Sequence, residues 1–236
     1  MRMKRLFGGV LSAALLGLVP VALSAAPAQA ATYETRVTAQ MSYTTVEAGR
    51  DISITGNTEY FDGSTWRAVP SNYESSPTAS TAGAAVLQRK LAGSSTWTTI
   101  EVDSSAGSFY FYPVRATQNA TYRVVFNALS KDGHVYPANG AEGKLTVLRK
   151  IDVKTKYGSL KVTGKVSPEF KKKKLVVQVK KGKWKTWKKV KTNNKGKYAV
   201  KLVGSRNGTK YRFVAPGSKK FAKTTSGIIT ATAYRF

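Results

Sequence analysis

Apolar and polar residues alternate along most of this chain, in short runs broken by Gly, Asn and Ser. Successive side chains of a strand point to opposite faces, so such runs read as half-buried β-strands. The pattern predicts strands over 51–58, 85–90, 96–102, 108–112, 121–127 and 143–148. It predicts more over 150–156, 160–165, 175–180, 186–192, 198–203, 210–215 and 226–231. Turns are expected at Asp132-Gly133, Lys181-Gly182, Asn193-Asn194-Lys195-Gly196 and Asn207-Gly208, residues that accept positive φ or bond their own backbone. Beyond residue 30 no stretch of ten residues keeps a helical period. Strands at intervals of about 8–12 residues point to an all-β sandwich or barrel. Alternation also assigns faces. Val162, Val166, Tyr198, Val200, Tyr211 and Phe213 turn inward, and Lys161, Lys165, Lys197, Lys201, Lys210 and Arg212 turn outward.

The two halves resemble each other. Val86-Leu87-Gln88-Arg89-Lys90 lies ninety positions before Val176-Val177-Gln178-Val179-Lys180, and Trp97 stands at the same offset from Trp187. One residue shorter in offset, Gly107-Ser108-Phe109 matches Gly196-Lys197-Tyr198, and Tyr122-Arg123-Val124 matches Tyr211-Arg212-Phe213. Two copies of one sandwich unit explain this better than a single large barrel. The joint is expected near residues 148–151. It has no Gly or Pro spacer, which predicts a short, stiff connection.

The order Gly164-Lys165-Val166-Ser167-Pro168, then Gly182 to Val190 with its two tryptophans, then Asn194 to Tyr198 and Tyr211 to Phe213 resembles the immunoglobulin-like repeats of secreted actinobacterial proteins. The resemblance covers most of the second half and, in the first, residues 85–126. It implies two tandem immunoglobulin-like β-sandwich domains, over 31–148 and 149–236, an exported address, and a role as spacer or binding module. It carries over no catalytic residue. Residues 69–83, rich in Ser, Thr and Ala, depart from the repeat and read as a loop.

The first thirty residues read as a signal peptide. Arg2, Lys4 and Arg5 precede an apolar stretch from Leu6 to Val19, and Ala28-Gln29-Ala30 supplies a small-x-small cleavage pattern. Cleavage after Ala30 is expected, with a retained anchor as the alternative. The chain contains no cysteine, so stability must come from its core. The product is expected outside the cell, free or loosely held to the wall.

Charge then separates the two halves. Residues 31–148 hold nine basic and ten acidic residues; residues 149–236 hold 27 basic residues against Asp152 and Glu169. Twenty-three of those 27 are lysine. Reading of bases or single phosphates favours the planar fork of Arg, whereas a lysine coat acts as point charges toward a repeating polyanion. The candidate polyanion-binding residues are Lys171, Lys172, Lys173, Lys174, Lys180, Lys181, Lys183, Lys185, Lys188, Lys189 and Lys191. Trp184 joins them as an aromatic able to stack on a base or sugar. Teichoic acid and extracellular DNA are candidate partners, and a solvated coat without a ligand is the alternative. Sequence-specific nucleic-acid recognition is not expected, because no groove-reading helix is predicted.

Other chemistry is sparse. His134 is the single histidine and sits in a predicted turn without a second metal ligand. No nucleophile elbow accompanies it. A hydrolase of wall polymers would draw paired carboxylates from Glu47, Asp51, Glu59, Asp62, Glu74, Glu101 and Asp103, with Glu59, Glu101 and Asp103 the ones to replace in a test, and nothing in the pattern brings two of them to a common cleft. No catalytic residue, metal or cofactor is expected. Trp66, Trp97 and Trp187 read as packing residues, and Trp184 as one without a counterpart in the first half.

Overall fold

The structure, a computed structural model, describes residues 31–70, 82–105 and 107–233. The expected signal peptide and most of the 69–83 stretch lie outside them. The described residues form strands and no helix, and none is thus long and apolar enough to cross a membrane as a helix. The strands of the first half are β1 (Ala31–Thr32), β2 (Glu34–Met41), β3 (Thr45–Glu47), β4 (Asp51–Phe61), β5 (Trp66–Ala68), β6 (Ala85–Leu91), β7 (Thr98–Asp103), β8 (Ser108–Arg115), β9 (Ala120–Phe126), β10 (Leu129–Lys131), β11 (His134–Tyr136) and β12 (Asn139–Leu148). Those of the second are β13 (Lys150–Thr155), β14 (Lys161–Ser167), β15 (Lys174–Lys181), β16 (Lys183–Lys191), β17 (Lys197–Lys201), β18 (Thr209–Ala215), β19 (Thr224–Thr225) and β20 (Ile229–Ala231).

In the first sandwich β4 pairs β2 on one side and β5 and β8 on the other, facing a sheet of order β3-β12-β9-β6-β7. In the second, β13-β14-β17 faces β16-β15-β18-β19, with β20 also on β18. The same strand order recurs in both, which makes the chain a tandem of immunoglobulin-like sandwiches. Each interior is filled from both sheets by the alternate residues of its strands. Ile52, Ile54, Phe109 and Phe111 meet Leu87, Val124, Phe126 and Leu145 in the first core. Val162, Val166, Tyr198 and Val200 meet Leu175, Val177, Tyr211 and Phe213 in the second.

A glycine under an aromatic ring repeats in both halves. Gly56 pairs with Phe109 and Gly164 with Tyr198 across the three- and four-stranded sheets. A Cβ on Gly164 would sit 2.0 Å from the Asp152 carbonyl oxygen and 2.6 Å from the Tyr198 hydroxyl. That hydroxyl donates to the same carbonyl at 2.9 Å, and burial, with the Asp152 charge adding, pushes the phenol well above its ordinary pKa. Gly164→Ala should therefore cost about 3 kcal/mol through overpacking and the displaced hydrogen bond. A urea midpoint within error of the parent would contradict this.

The two cores are joined by more than the chain. Phe221, 1% exposed, comes from the loop before β19 but packs in the first core. Around it Ala222 N donates to Val147 O at 2.9 Å, and Asn119 N donates to Lys220 O at 2.7 Å. Asn119 Nδ2 also donates to Lys219 O at 3.0 Å, while its Oδ1 accepts from Val147 N at 2.7 Å. Arg149, also 1% exposed, lies at the joint itself. Its guanidinium donates to Pro168 O (3.2 Å), Pro216 O (3.0 Å) and Ser218 Oγ (3.1 Å) and stands 4.5 Å from the Phe221 ring. Burial lowers its pKa, against a weaker Coulombic pull from Glu169.

Candidate functional site

The lysine candidates gather on one hairpin. Lys174, Lys180 and Lys181 lie on β15, and Lys183, Lys185, Lys188, Lys189 and Lys191 on β16, the edge strand of its sheet. Lys171, Lys172 and Lys173 form the turn entering β15. That turn is tied to the far end of β16, since Thr192 N donates to Lys173 O at 2.9 Å and Lys173 N to Thr192 Oγ1 at 3.1 Å. All eleven side chains are exposed. They run along about 25 Å of strand. The remaining cations include Lys154, Lys161, Lys165, Lys197 and Lys201 on the opposite sheet, so the coat covers both sheets but is densest on the hairpin.

Register sharpens the electrostatics. Lys174 stands directly opposite Lys191, and Lys181 opposite Lys183. Like charges facing each other across strands are destabilising. Among the described residues no carboxylate lies within ion-pair distance of any of the eleven; the second half's ion pairs are Lys150–Asp152 at 3.5 Å and Lys220–Glu169 at 3.1 Å. In the first half three of the six arginines find acids: Arg36 with Glu59, Arg67 with Asp62, and Arg115 with Asp51. The hairpin thus carries uncompensated charge at both of its ends.

Trp184 has a counterpart after all, and it is Trp97. Lys180 Nζ lies 5.6 Å and Arg212 Cζ 4.4 Å from the Trp184 ring centroid. Lys90 Nζ lies 4.5 Å and Arg123 Cζ 4.2 Å from that of Trp97. In each copy the arginine Nε donates at 2.7 Å to a glutamine, Gln178 or Gln88. The shift in register falls at one place in both hairpins, after Val177 and after Leu87, and makes Trp187 and Ile100 the extra residues. Trp187 therefore corresponds to Ile100 rather than to Trp97, and it turns inward against Tyr211 at 5.3 Å. The linear alignment erred because three residues separate Lys180 from Trp184 and six separate Lys90 from Trp97. Both Trp184 and Trp97 are half-buried under their cations. Cation–π contacts of this kind fix the rings on the outer sheet face.

The other candidates occupy separate places. His134 begins β11 and packs 5.1 Å from Tyr33, after an Asp132-Gly133 turn with both φ values positive. Its buried Nδ1 has no hydrogen-bond partner. Glu59 accepts from Arg36 at 2.7 Å. Asp103 accepts from the backbone N–H of Ser105 (2.8 Å) and of Tyr110 (3.1 Å); burial alone would raise its pKa, and the Ser105 side chain, followed by these two backbone bonds, brings it below the usual value. Glu101 is exposed on β7. Among the described residues no three His, Cys, Asp or Glu side chains cluster as metal ligands.

No family model matches the chain, and no curated protein does. Among solved structures it is similar to a two fibronectin type-III domain segment from chicken tenascin, at 15% identity over 82% of this chain and 98% of that one, with a TM-score of 0.40. It is also similar to the human OSCAR ligand-binding domain, at 12% identity over 84% and 97% of the two chains, TM-score 0.26. A third is a 1.5-MDa bacterial ice-binding adhesin, at 12% identity over 85% and 65%, TM-score 0.26. Likenesses this distant say nothing about ligand. The fold assignment rests on the strand order and the two cores.

Proposed function

We propose that this is an exported, non-catalytic protein of two modules, 31–148 and 149–236 after a signal peptide over 1–30, whose second module binds anionic polymers. The hairpin of β15 and β16 is the binding element. The observation that carries the reading is the two cross-strand Lys–Lys pairs at its ends, with no carboxylate among the described residues to relieve either. A polymer bearing regularly spaced phosphates, such as teichoic acid or DNA, would supply the missing counter-charge along the whole hairpin. Trp184, fixed on the outer sheet face by its contacts with Lys180 and Arg212, would lie against the polymer's sugar or base.

A salt series on the full chain tests this. Binding to teichoic acid or to mixed-sequence DNA should weaken linearly in log–log coordinates, at about 0.9 per phosphate contacted on duplex DNA. The same polymers should raise the melting temperature, because they bind the folded state. Absence of binding at physiological salt would sink the proposal.

One observation favours a second reading. By register Lys181, Lys183, Lys185 and Lys188 point to the inner side of an edge strand, a device that blocks edge-to-edge pairing. On that reading the module is a spacer, and its lysines protect solubility. Their replacement would then cause aggregation while leaving polymer binding alone.

A further inference from the structure

We infer that the first sandwich carries a second binding surface, on the outer face of the sheet formed by β2, β4 and β8, and that its ligand is an extended, uncharged polysaccharide. This goes beyond the polyanion reading, and it concerns the other module.

The residues of that face follow from register. Gln40 pairs with Thr55, which pairs with Tyr110; Thr38 pairs with Asn57, which pairs with Ser108. Ser42 and Ser53 continue the rows, with Ser42 N donating to Ser53 O at 3.0 Å. Tyr112 is the next outward residue of β8. Every side chain in this array is a hydroxyl, an amide or a phenol. None is charged, in a protein of net charge +27. The array ends at a closed ion pair on each side, Arg36 with Glu59 at 2.7 Å and Arg115 with Asp51 at 3.2 Å. Over Thr38, Gln40, Thr55, Asn57 and Ser108 lies an open depression of about 690 Å³.

The tyrosines supply the second half of the chemistry. Tyr110 is 59% and Tyr112 54% exposed. Their rings stack with centroids 6.2 Å apart and planes 27° from parallel. Large exposed aromatics set side by side mark interaction surfaces. A sugar ring has an apolar C–H face and an equatorial rim of hydroxyls. The first packs on an aromatic ring, and the second exchanges hydrogen bonds with Thr, Ser, Asn and Gln. The three rows run about 13 Å along the strands and about 10 Å across them, which suits a short segment of a flat, β-linked chain.

Other occupants fit less well. A polyanion would find no free cation here. A peptide adding to the edge of β8 would find the Tyr110 N–H already bonded to Asp103 Oδ2 at 3.1 Å and no N–H on Pro113.

Retention of the full chain on cellulose, chitin, xylan and mannan, each at about 0.15 M and about 1 M NaCl, tests the inference. At least one should retain the protein, and salt should leave retention unchanged because no charge takes part. Tyr110→Ala with Tyr112→Ala should weaken retention at least about tenfold, the loss expected for one or two stacking contacts. Tyr110→Phe with Tyr112→Phe should stay within about threefold, since it keeps the rings. Both side chains are on the surface, so folding is not at issue. Failure on every polymer, retention lost in high salt, or equal retention by the alanine pair would overturn the inference. So would a dimer that the alanine pair dissolves without any effect on glycan, which would make the face a contact between copies. Removing hairpin lysines should not change these results, so this surface and the polyanion site stand or fall separately.

Discussion

Replacing Lys183, Lys185, Lys188 and Lys189 together by Gln should weaken binding to an anionic polymer roughly a thousandfold near physiological salt. Each lysine close to a dense anionic surface contributes about 1 kcal/mol, and the four act on one strand. The salt slope should fall by about 0.9 for each replaced lysine that touched a duplex phosphate. Stability should move the opposite way. Lys183 faces Lys181 across the hairpin, and removing one of two opposed cations relieves repulsion. A variant that binds weakly yet melts no lower than the parent separates a binding defect from unfolding. Binding within about threefold of the parent would leave the lysines as a solvated coat.

Phe221→Ala should cost about 3–5 kcal/mol and uncouple the two sandwiches. The ring is buried in the first core although the chain reaches it from the second, and deleting a buried phenyl leaves a cavity as well as lost transfer energy. It also removes the aromatic face beneath Arg149. Calorimetry of the full chain should show one cooperative transition for the parent and two for the variant, as each core then unfolds on its own. A single transition within about 1 kcal/mol of the parent would mean that the loop around Phe221 carries little of the coupling. Ser218→Ala, which removes one acceptor of Arg149 and of the Phe221 N–H, should move the same way by less.

Alternation made the buried strands legible and the edges illegible. The runs at 85–90, 175–180 and 210–215 match β6, β15 and β18 within two residues because each sends a row of mostly apolar residues into a core. Strand β2 does not show in the pattern: Thr35 and Val37 are its buried residues, and apart from the partly buried Met41 the remainder of Glu34–Met41 is polar or exposed. The short strands β1, β3 and β10 do not show for a related reason, since their pairing comes from backbone bonds that composition does not record. Lysine density pointed to the hairpin correctly as a segment. It could not place Lys174 against Lys191, which depends on a bulge. Nor could it match Trp184 to Trp97, which needed the length of a turn. The Tyr110–Tyr112 surface was hidden most completely, because its neighbours come from three strands far apart in sequence and each is unremarkable alone.

Arg149 has a consequence for acid conditions. Its guanidinium is held by two carbonyls and a hydroxyl, none of which takes up a proton in the range where carboxylates do, and arginine itself stays charged. Asp62 and Asp103, whose pKa values lie below the ordinary carboxylate value, stabilise the first module above pH about 4 and lose that effect as the pH falls through their lower folded values. An acidified medium would therefore soften the loops of one module while leaving in place the hydrogen bonds that hold the Arg149 guanidinium at the splice. The joint between the sandwiches should hold in surroundings sour enough to fray the surface.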